Sequence, residues 1–425
     1  MTTAPNGQKR TIAAGVIGNM LEWYDFSIYG FFAAHIGKTF FHSADPIAQV
    51  LSAFGVFAVG FLVRPLGSIW IGYIGDRYGR TTALTISVTG MAVPTVLIGL
   101  LPGYETLGVM APILLTLLRM LQGLAVGGEA AIAGVFLVES ASPERRGLVG
   151  ALGGVGNGLG IQLGSIAAAV TASMMSADAL TSWGWRIPFV LGLLIGVVGF
   201  MLRRSLQEST EARAEVASSP LAETMRHHLP TVVRIAGLVT FNAVAFQLAF
   251  LYIVHWLETV DGIAPAHALK INTYSMLLTT PISLATGWAS DYIGRKNILL
   301  VATALGFVCA VPLFMLMHNN SMALIMLGQF GFAIVIGLAF GVMPALTVET
   351  TPVAVRCTAL AVGCSIGYSI FGGLVPLTAT WLVYRTADDY SPAYLIMVAA
   401  ALSFVACLFH RETYRGIGFA VRKPA

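Results

Sequence analysis

Charge is what this sequence has least of. Only 10% of its 425 residues are Asp, Glu, Lys or Arg, against roughly 25% in soluble domains. A water-soluble chain of this length could not cover its surface with so few. Disorder is excluded as well, because 23 Phe, 13 Tyr and 7 Trp at a mean hydropathy of +0.80 demand burial. Cysteine is sparse too: Cys309, Cys357, Cys364 and Cys407 lie in or beside apolar stretches, with no C-x-x-C pair and no histidine at ligand spacing. That pattern speaks against disulfides and structural zinc. No H-E-x-x-H, Walker loop or nucleophile elbow in the right setting is found. Neither enzyme chemistry, a cofactor nor a metal is expected, and an ATP-driven pump would need a soluble domain for which this chain has no room.

What is abundant is long apolar sequence. Stretches free of Asp, Glu, Lys and Arg run over 81–104, 147–177, 235–257, 271–290, 297–317, 321–348, 357–384 and 390–409. Four further segments, 11–36, 46–74, 108–138 and 187–203, are apolar but interrupted or shorter. A helix needs about 20 apolar residues to cross a bilayer, and β-barrel strands would alternate instead of running continuously. The reading is an all-α polytopic membrane protein of about twelve spans, its first helix retained and not cleaved as a signal peptide.

Of the 24 Lys and Arg, 18 fall on one side of these spans and four on the other, while Arg64 and Arg119 lie within helices. The positive-inside rule then expects both termini in the cytoplasm and the chain in the cytoplasmic membrane. The basic excess is topological, so no nucleic-acid partner is expected, and no obligatory protein partner is evident. The halves repeat: Gly72-Tyr-Ile-Gly-Asp76-Arg77-Tyr-Gly79-Arg80 returns as Gly287-Trp-Ala-Ser-Asp291-Tyr-Ile-Gly294-Arg295-Lys296. Likewise Val138-Glu139, a proline and Arg146 return as Val348-Glu349, a proline and Arg356. Two six-helix halves, 1–203 and 231–425, joined by a polar linker at 204–230, follow from this; such parallel repeats mark transporters that rock about a midplane site.

The paired loops resemble the signature of the major facilitator superfamily. More narrowly, Gly18-Asn19-Met-Leu-Glu22-Trp23-Tyr-Asp25-Phe26, Phe61-Leu-Val-Arg64-Pro65-Leu-Gly67, Gln122-Gly123 with Gly127-Gly128-Glu129, Trp183-Gly-Trp-Arg186-Ile-Pro188-Phe189 and Leu202-Arg-Arg-Ser-Leu-Gln-Glu208 resemble the metabolite:proton symporter family. That family includes citrate, 2-oxoglutarate, shikimate and proline/betaine permeases. Tyr292 stands where the loop motif usually has Arg or Lys. The motif's rim position reads as a latch between halves, with Asp76, Arg77, Arg80, Asp291 and Arg295 as gating residues.

Ionisable residues inside a membrane usually mark pathways or proton relays. Here they are Glu22, Asp25, Arg64, Arg119 and Glu129. At about 1.5 Å of rise per residue, Asp25 and Arg119 fall at one depth, and Arg64 and Glu129 at another. Proton coupling is expected at Asp25, Glu129 and Glu22 with Arg119, and substrate contacts at Arg119, Arg64, Gln122, Asn242, Gln247, Tyr274, Gln329 and Tyr368. His255 and Trp256 read as an interfacial belt near the outer end of their helix.

The function expected is a secondary transporter taking up a small organic carboxylate with protons, favoured by the two intramembrane arginines and by the citrate-type Leu202–Glu208 segment. Transport of a zwitterionic osmolyte is the alternative, since Glu22-Trp23-Tyr-Asp25-Phe26 resembles the proline/betaine branch. The short tail after the last span is read as lacking the coiled coil of some osmosensing members. A transporter-like membrane sensor is the reading from another class.

Overall fold

Apolar runs of this length become helices that traverse the molecule from end to end. A computed structural model describes residues 20–78, 80–126, 135, 138, 141–204, 220–352 and 356–412. In order, α1 covers residues 20–40 with a break at Phe32, and α2 runs as Pro46–Leu62 and Arg64–Tyr78. Then come α3 (Arg80–Leu100), α4 (Met110–Ala125), α5 (Arg146–Met174) and α6 (Ile187–Arg204). The second half holds α7 (Leu229–Thr259), α8 (Pro265–Ile293), α9 (Arg295–Met317), α10 (Met322–Thr350), α11 (Arg356–Ser365 continuing to Val375–Thr386) and α12 (Ser391–Leu408). No strand occurs among the described residues. The architecture is the expected all-α bundle of two six-helix halves, which meet where α5 packs on α8 and α10 and where α2 meets α11.

Local chemistry sets the ends. Asp45 accepts the Ile47 amide at 2.9 Å and Pro46 opens α2, so the helix starts where its first amides find a partner. Gly294 turns the chain from α8 into α9 at φ 103°, a left-handed conformation that a side chain would resist. Glu412 then accepts the amides of Arg295 and Lys296, each at 3.0 Å, capping α9 from the far end of the chain. Lys296 Nζ donates in return to the carbonyls of Leu408 and His410 at 2.9 and 2.7 Å, binding the last turn of α12 to the first of α9.

Packing divides the side chains as a bilayer requires. Trp185, Trp256, Tyr29, Phe54 and Phe57 are fully buried, while Leu66, Trp70, Leu100, Met174, Leu194 and Val308 stand more than half exposed on the outside. In water such a surface would associate; in lipid it is the matching solvent.

Candidate functional site

Glu22, Asp25 and Phe26 sit at i, i+3 and i+4 on α1 and so share a face. Arg119 on α4 donates from Nη1 to Asp25 Oδ2 at 2.8 Å and to Gln122 Oε1 at 2.9 Å. Gln122 Nε2 donates to Asp25 Oδ1 at 2.8 Å, and Thr95 Oγ1 lies 2.7 Å from the same oxygen. Asp25, Thr95, Arg119 and Gln122 are all 0% exposed. This carboxylate has its charge matched and both oxygens hydrogen-bonded, the condition under which a buried ion pair persists.

A second pair joins α2 to α1: Arg64 Nη2 donates to Glu22 Oε1. Rise per residue fixes the height of a Cα, but not the azimuth or the reach of a guanidinium several bonds away. Glu129 lies outside the described residues, so nothing follows about it.

Between the halves lies a cavity of about 270 Å³, walled by α1, α2, α3, α5, α7, α8, α10 and α11. It occupies the half of the bundle nearer the Asp291 end. Glu22 and Arg64 are the charged side chains among its described lining residues, and they neutralise each other. Trp23, Phe246, Phe340 and Tyr368 supply ring surface, and Asn157 and Asn242 supply amides. Trp23 of the first half meets Phe246 of the second edge-on, centroids 5.7 Å apart, and Phe246 meets Phe340 at 5.5 Å. Trp23 Nε1 has no partner within the protein, and the Asn242 side chain faces the Tyr368 hydroxyl. Buried polar groups left open beside a cavity are what a ligand satisfies.

Of the expected substrate contacts, Arg64, Asn242 and Tyr368 line this cavity. Arg119 and Gln122 do not: they are sealed into the Asp25 network. Tyr274 is 53% exposed, away from the cavity. Gln247 is buried off the cavity. Gln329 has a different task, which exposes a feature no sequence signal revealed. Residues Gln247–Tyr252 of α7 and Ile366–Gly372 of α11 are π-helical, a winding that frees carbonyls from the α-ladder. Gln329 Nε2 donates to Ala249 O at 2.6 Å and Asn272 Nδ2 to Phe250 O at 3.0 Å, bracing the α7 segment from α10 and α8. The belt reading of His255 and Trp256 is also corrected. Trp256 is buried and donates to Asp389 O at 3.0 Å, and His255 packs edge-on to Phe54 of the first half at 5.7 Å. His255 thus joins the halves, while Trp256 packs within the second half against Phe314.

Residues 15–376 match the Major Facilitator Superfamily. The chain belongs to that superfamily. The glycine betaine/proline/ectoine/pipecolic acid transporter OusA of Dickeya dadantii (strain 3937) is 34% identical over 95% of this chain and 83% of its own. The proline/betaine transporter of Escherichia coli (strain K12) is 32% identical over 95% of this chain and 84% of its own. Among solved structures, a D-xylose-proton symporter superposes with a TM-score of 0.74 at 17% identity, covering 95% of this chain and 97% of that one. The last comparison bears on the fold alone. Membership makes the protein a membrane transporter and not an enzyme.

For this superfamily member the second copy of the loop motif joins the halves. Asp291, at the end of α8, accepts the amides of Gly147 and Leu148 at 2.8 and 3.1 Å, so a carboxylate of the second half caps α5 of the first. A Cβ at Gly147 would collide with Ser290 Oγ and Gly287 O, which explains the glycine there. Arg295 Nη2 donates to Asp291 Oδ1 at 2.7 Å, and its Nε lies 3.3 Å from Glu349 of α10. The side chains of Asp76, Arg77 and Arg80, the first copy, lie outside the described residues.

Proposed function

We propose that the protein takes up a small, net-neutral osmolyte of the betaine or proline class together with protons, by alternating access of halves 1–203 and 231–425 about the linker 204–230. The termini and the cavity's nearer end face the cytoplasm in this reading, which rests on the Lys and Arg asymmetry. One observation carries the choice of substrate: the cavity's charged pair, Glu22–Arg64, is already self-neutralised. A di- or tricarboxylate would bring two or three negative charges against Arg64, the one cation among the described lining residues and already shared with Glu22, and uncompensated charge in such surroundings costs several kcal/mol. A zwitterion adds none. Its carboxylate competes with Glu22 for Arg64, its onium group rests on the ring faces of Trp23 and Phe246, and the carboxylate of Glu22, released, takes the proton. Coupling is thereby assigned to Glu22–Arg64, and Asp25–Arg119 becomes the fixed pair. The two betaine and proline transporters at 32–34% identity support the same substrate class.

Purified protein in proteoliposomes, given an inward proton gradient and either radiolabelled glycine betaine, proline or citrate, tests this. Accumulation of the zwitterions, collapsed by a protonophore, is expected. Accumulation of citrate with no uptake of either zwitterion would reverse the substrate assignment, and gradient-insensitive uptake would remove the proton.

A further inference from the structure

The two ion pairs share one ring. The guanidinium carbon of Arg64 lies 4.3 Å from the Phe26 centroid and that of Arg119 lies 4.8 Å from it. Each arginine also has a ring to itself, Phe61 for Arg64 at 4.4 Å and Tyr29 for Arg119 at 4.2 Å. Phe26 itself is 1% exposed and packs on Phe61 at 4.6 Å.

The allocation of these charges is not fixed by saturation. Arg64 Nε, Arg119 Nε and Arg119 Nη2 all lack hydrogen-bond partners within the protein. Both arginines therefore have donors to spare, and their two carboxylates stand less than one turn apart on the same face of α1. In a low dielectric each arginine also feels the neighbouring pair's carboxylate strongly, so small shifts in position change how the charge is shared. The ring that both guanidinium groups approach is Phe26, whose faces attract a cation and offer no proton path.

We propose that Phe26 is a positioning residue for proton coupling: it keeps Arg64 assigned to Glu22 and Arg119 to Asp25. Only the pair at the cavity then exchanges its proton, and the second pair stays out of the cycle. The inference rests on the coupling role given above to Glu22–Arg64. It adds that fidelity between two adjacent pairs is set by a hydrocarbon ring and not by a further polar group.

The test titrates Glu22 directly, by the infrared band of its protonated carboxyl, identified by its absence in Glu22→Gln. In Phe26→Leu, Arg64 is free to lean to Asp25, and Glu22 gains about tenfold in proton affinity, a displacement of about one pH unit. Phe26→Tyr, which keeps the ring, moves the band less than half as far. In proteoliposomes Phe26→Leu keeps glycine betaine exchange within about twofold while gradient-driven accumulation falls at least fivefold. Phe26→Met, nearer in length, serves the same comparison where the leucine variant inserts poorly. Identical titration in wild type, Phe26→Leu and Phe26→Met, or exchange and accumulation falling in equal proportion, would overturn the proposal. If wild type carries no zwitterion at all, the transport reading fails while the titration still decides the role of Phe26.

Discussion

The two halves share a fold but divide the chemistry. In the first, charge is drawn inward: Glu22–Arg64 at the cavity wall and Asp25–Arg119 behind it. In the second, the described interior is built from amides, hydroxyls and rings, such as Asn242, Asn272, Gln329 and Tyr368, and its ion pairs Asp291–Arg295 and Arg295–Glu349 lie at the rim. The charged pair of the cavity thus comes from the first half, while the second adds amides and rings to the same wall. Each then meets the same cavity from its own side.

The largest effect that would break this picture lies inside the first half itself. Asp25→Asn leaves Arg119, 0% exposed, with no counter-ion, and breaking a buried pair from one side costs about 3–5 kcal/mol. The expected result is loss of folded protein from the membrane, read by yield and by thermal unfolding of the purified carrier. Glu22→Gln borders the cavity, so Arg64 can recover solvent contact there. That variant should fold, keep substrate exchange and lose gradient-driven accumulation at least tenfold. Equal loss of folded protein in both would erase the distinction between a fixed pair and a working one.

How far the sequence alone reached follows the same division. Scarce charges inside apolar runs are conspicuous, so the helical class, the repeat and the level match of Asp25 with Arg119, which pair at 2.8 Å, could be read before any coordinates. Depth arithmetic could not say that Arg119 and Gln122 turn from the cavity, or that Arg64 reaches Glu22, because azimuth depends on how neighbouring helices pack. In the second half even the periodicity misleads. The π segments of α7 and α11 rotate everything beyond them relative to an α-helical count. Gln329, which reads as a ligand on paper, is spent on Ala249 O. Trp23 and Phe246 were invisible as cavity walls, since aromatic residues in an apolar helix carry no sign of what they face.

A medium effect sharpens the second half's side. Asn242 lines the cavity beside Tyr368, and a hydrogen bond to a charged group contributes about 1.5–3 kcal/mol. Asn242→Leu should raise KM for glycine betaine about 10- to 100-fold while the accumulation reached at saturating substrate stays near wild type. A variant that lowers accumulation without touching KM would move coupling into the second half and break the division.

The smallest effect concerns the rim joint between α9 and α12, where the second half keeps its charge for structure. His410, just beyond α12, is 4% exposed, and its carbonyl accepts Lys296 Nζ at 2.7 Å. Burial first, and the nearby Arg234 and Lys296 with it, hold its imidazole down to about 4 from the usual 6.5, against an opposing pull from Glu412. The folded protein therefore keeps this histidine neutral while the unfolded chain protonates it below about 6.5. More protons are bound by the unfolded state in that interval, so stability is intact above about pH 6.5 and falls as the pH is lowered toward 4. His410→Gln removes the titration. Its thermal midpoint should decline less than that of wild type between those pH values, by about 1 °C for each kcal/mol involved in a chain of 425 residues. Gradient-driven accumulation should be unchanged near neutral pH, because the joint lies away from the Glu22–Arg64 pair proposed to carry the proton. Parallel stability curves for the two proteins would show that His410 is solvated as the fold breathes, and a loss of accumulation in the variant would tie this rim joint to transport itself.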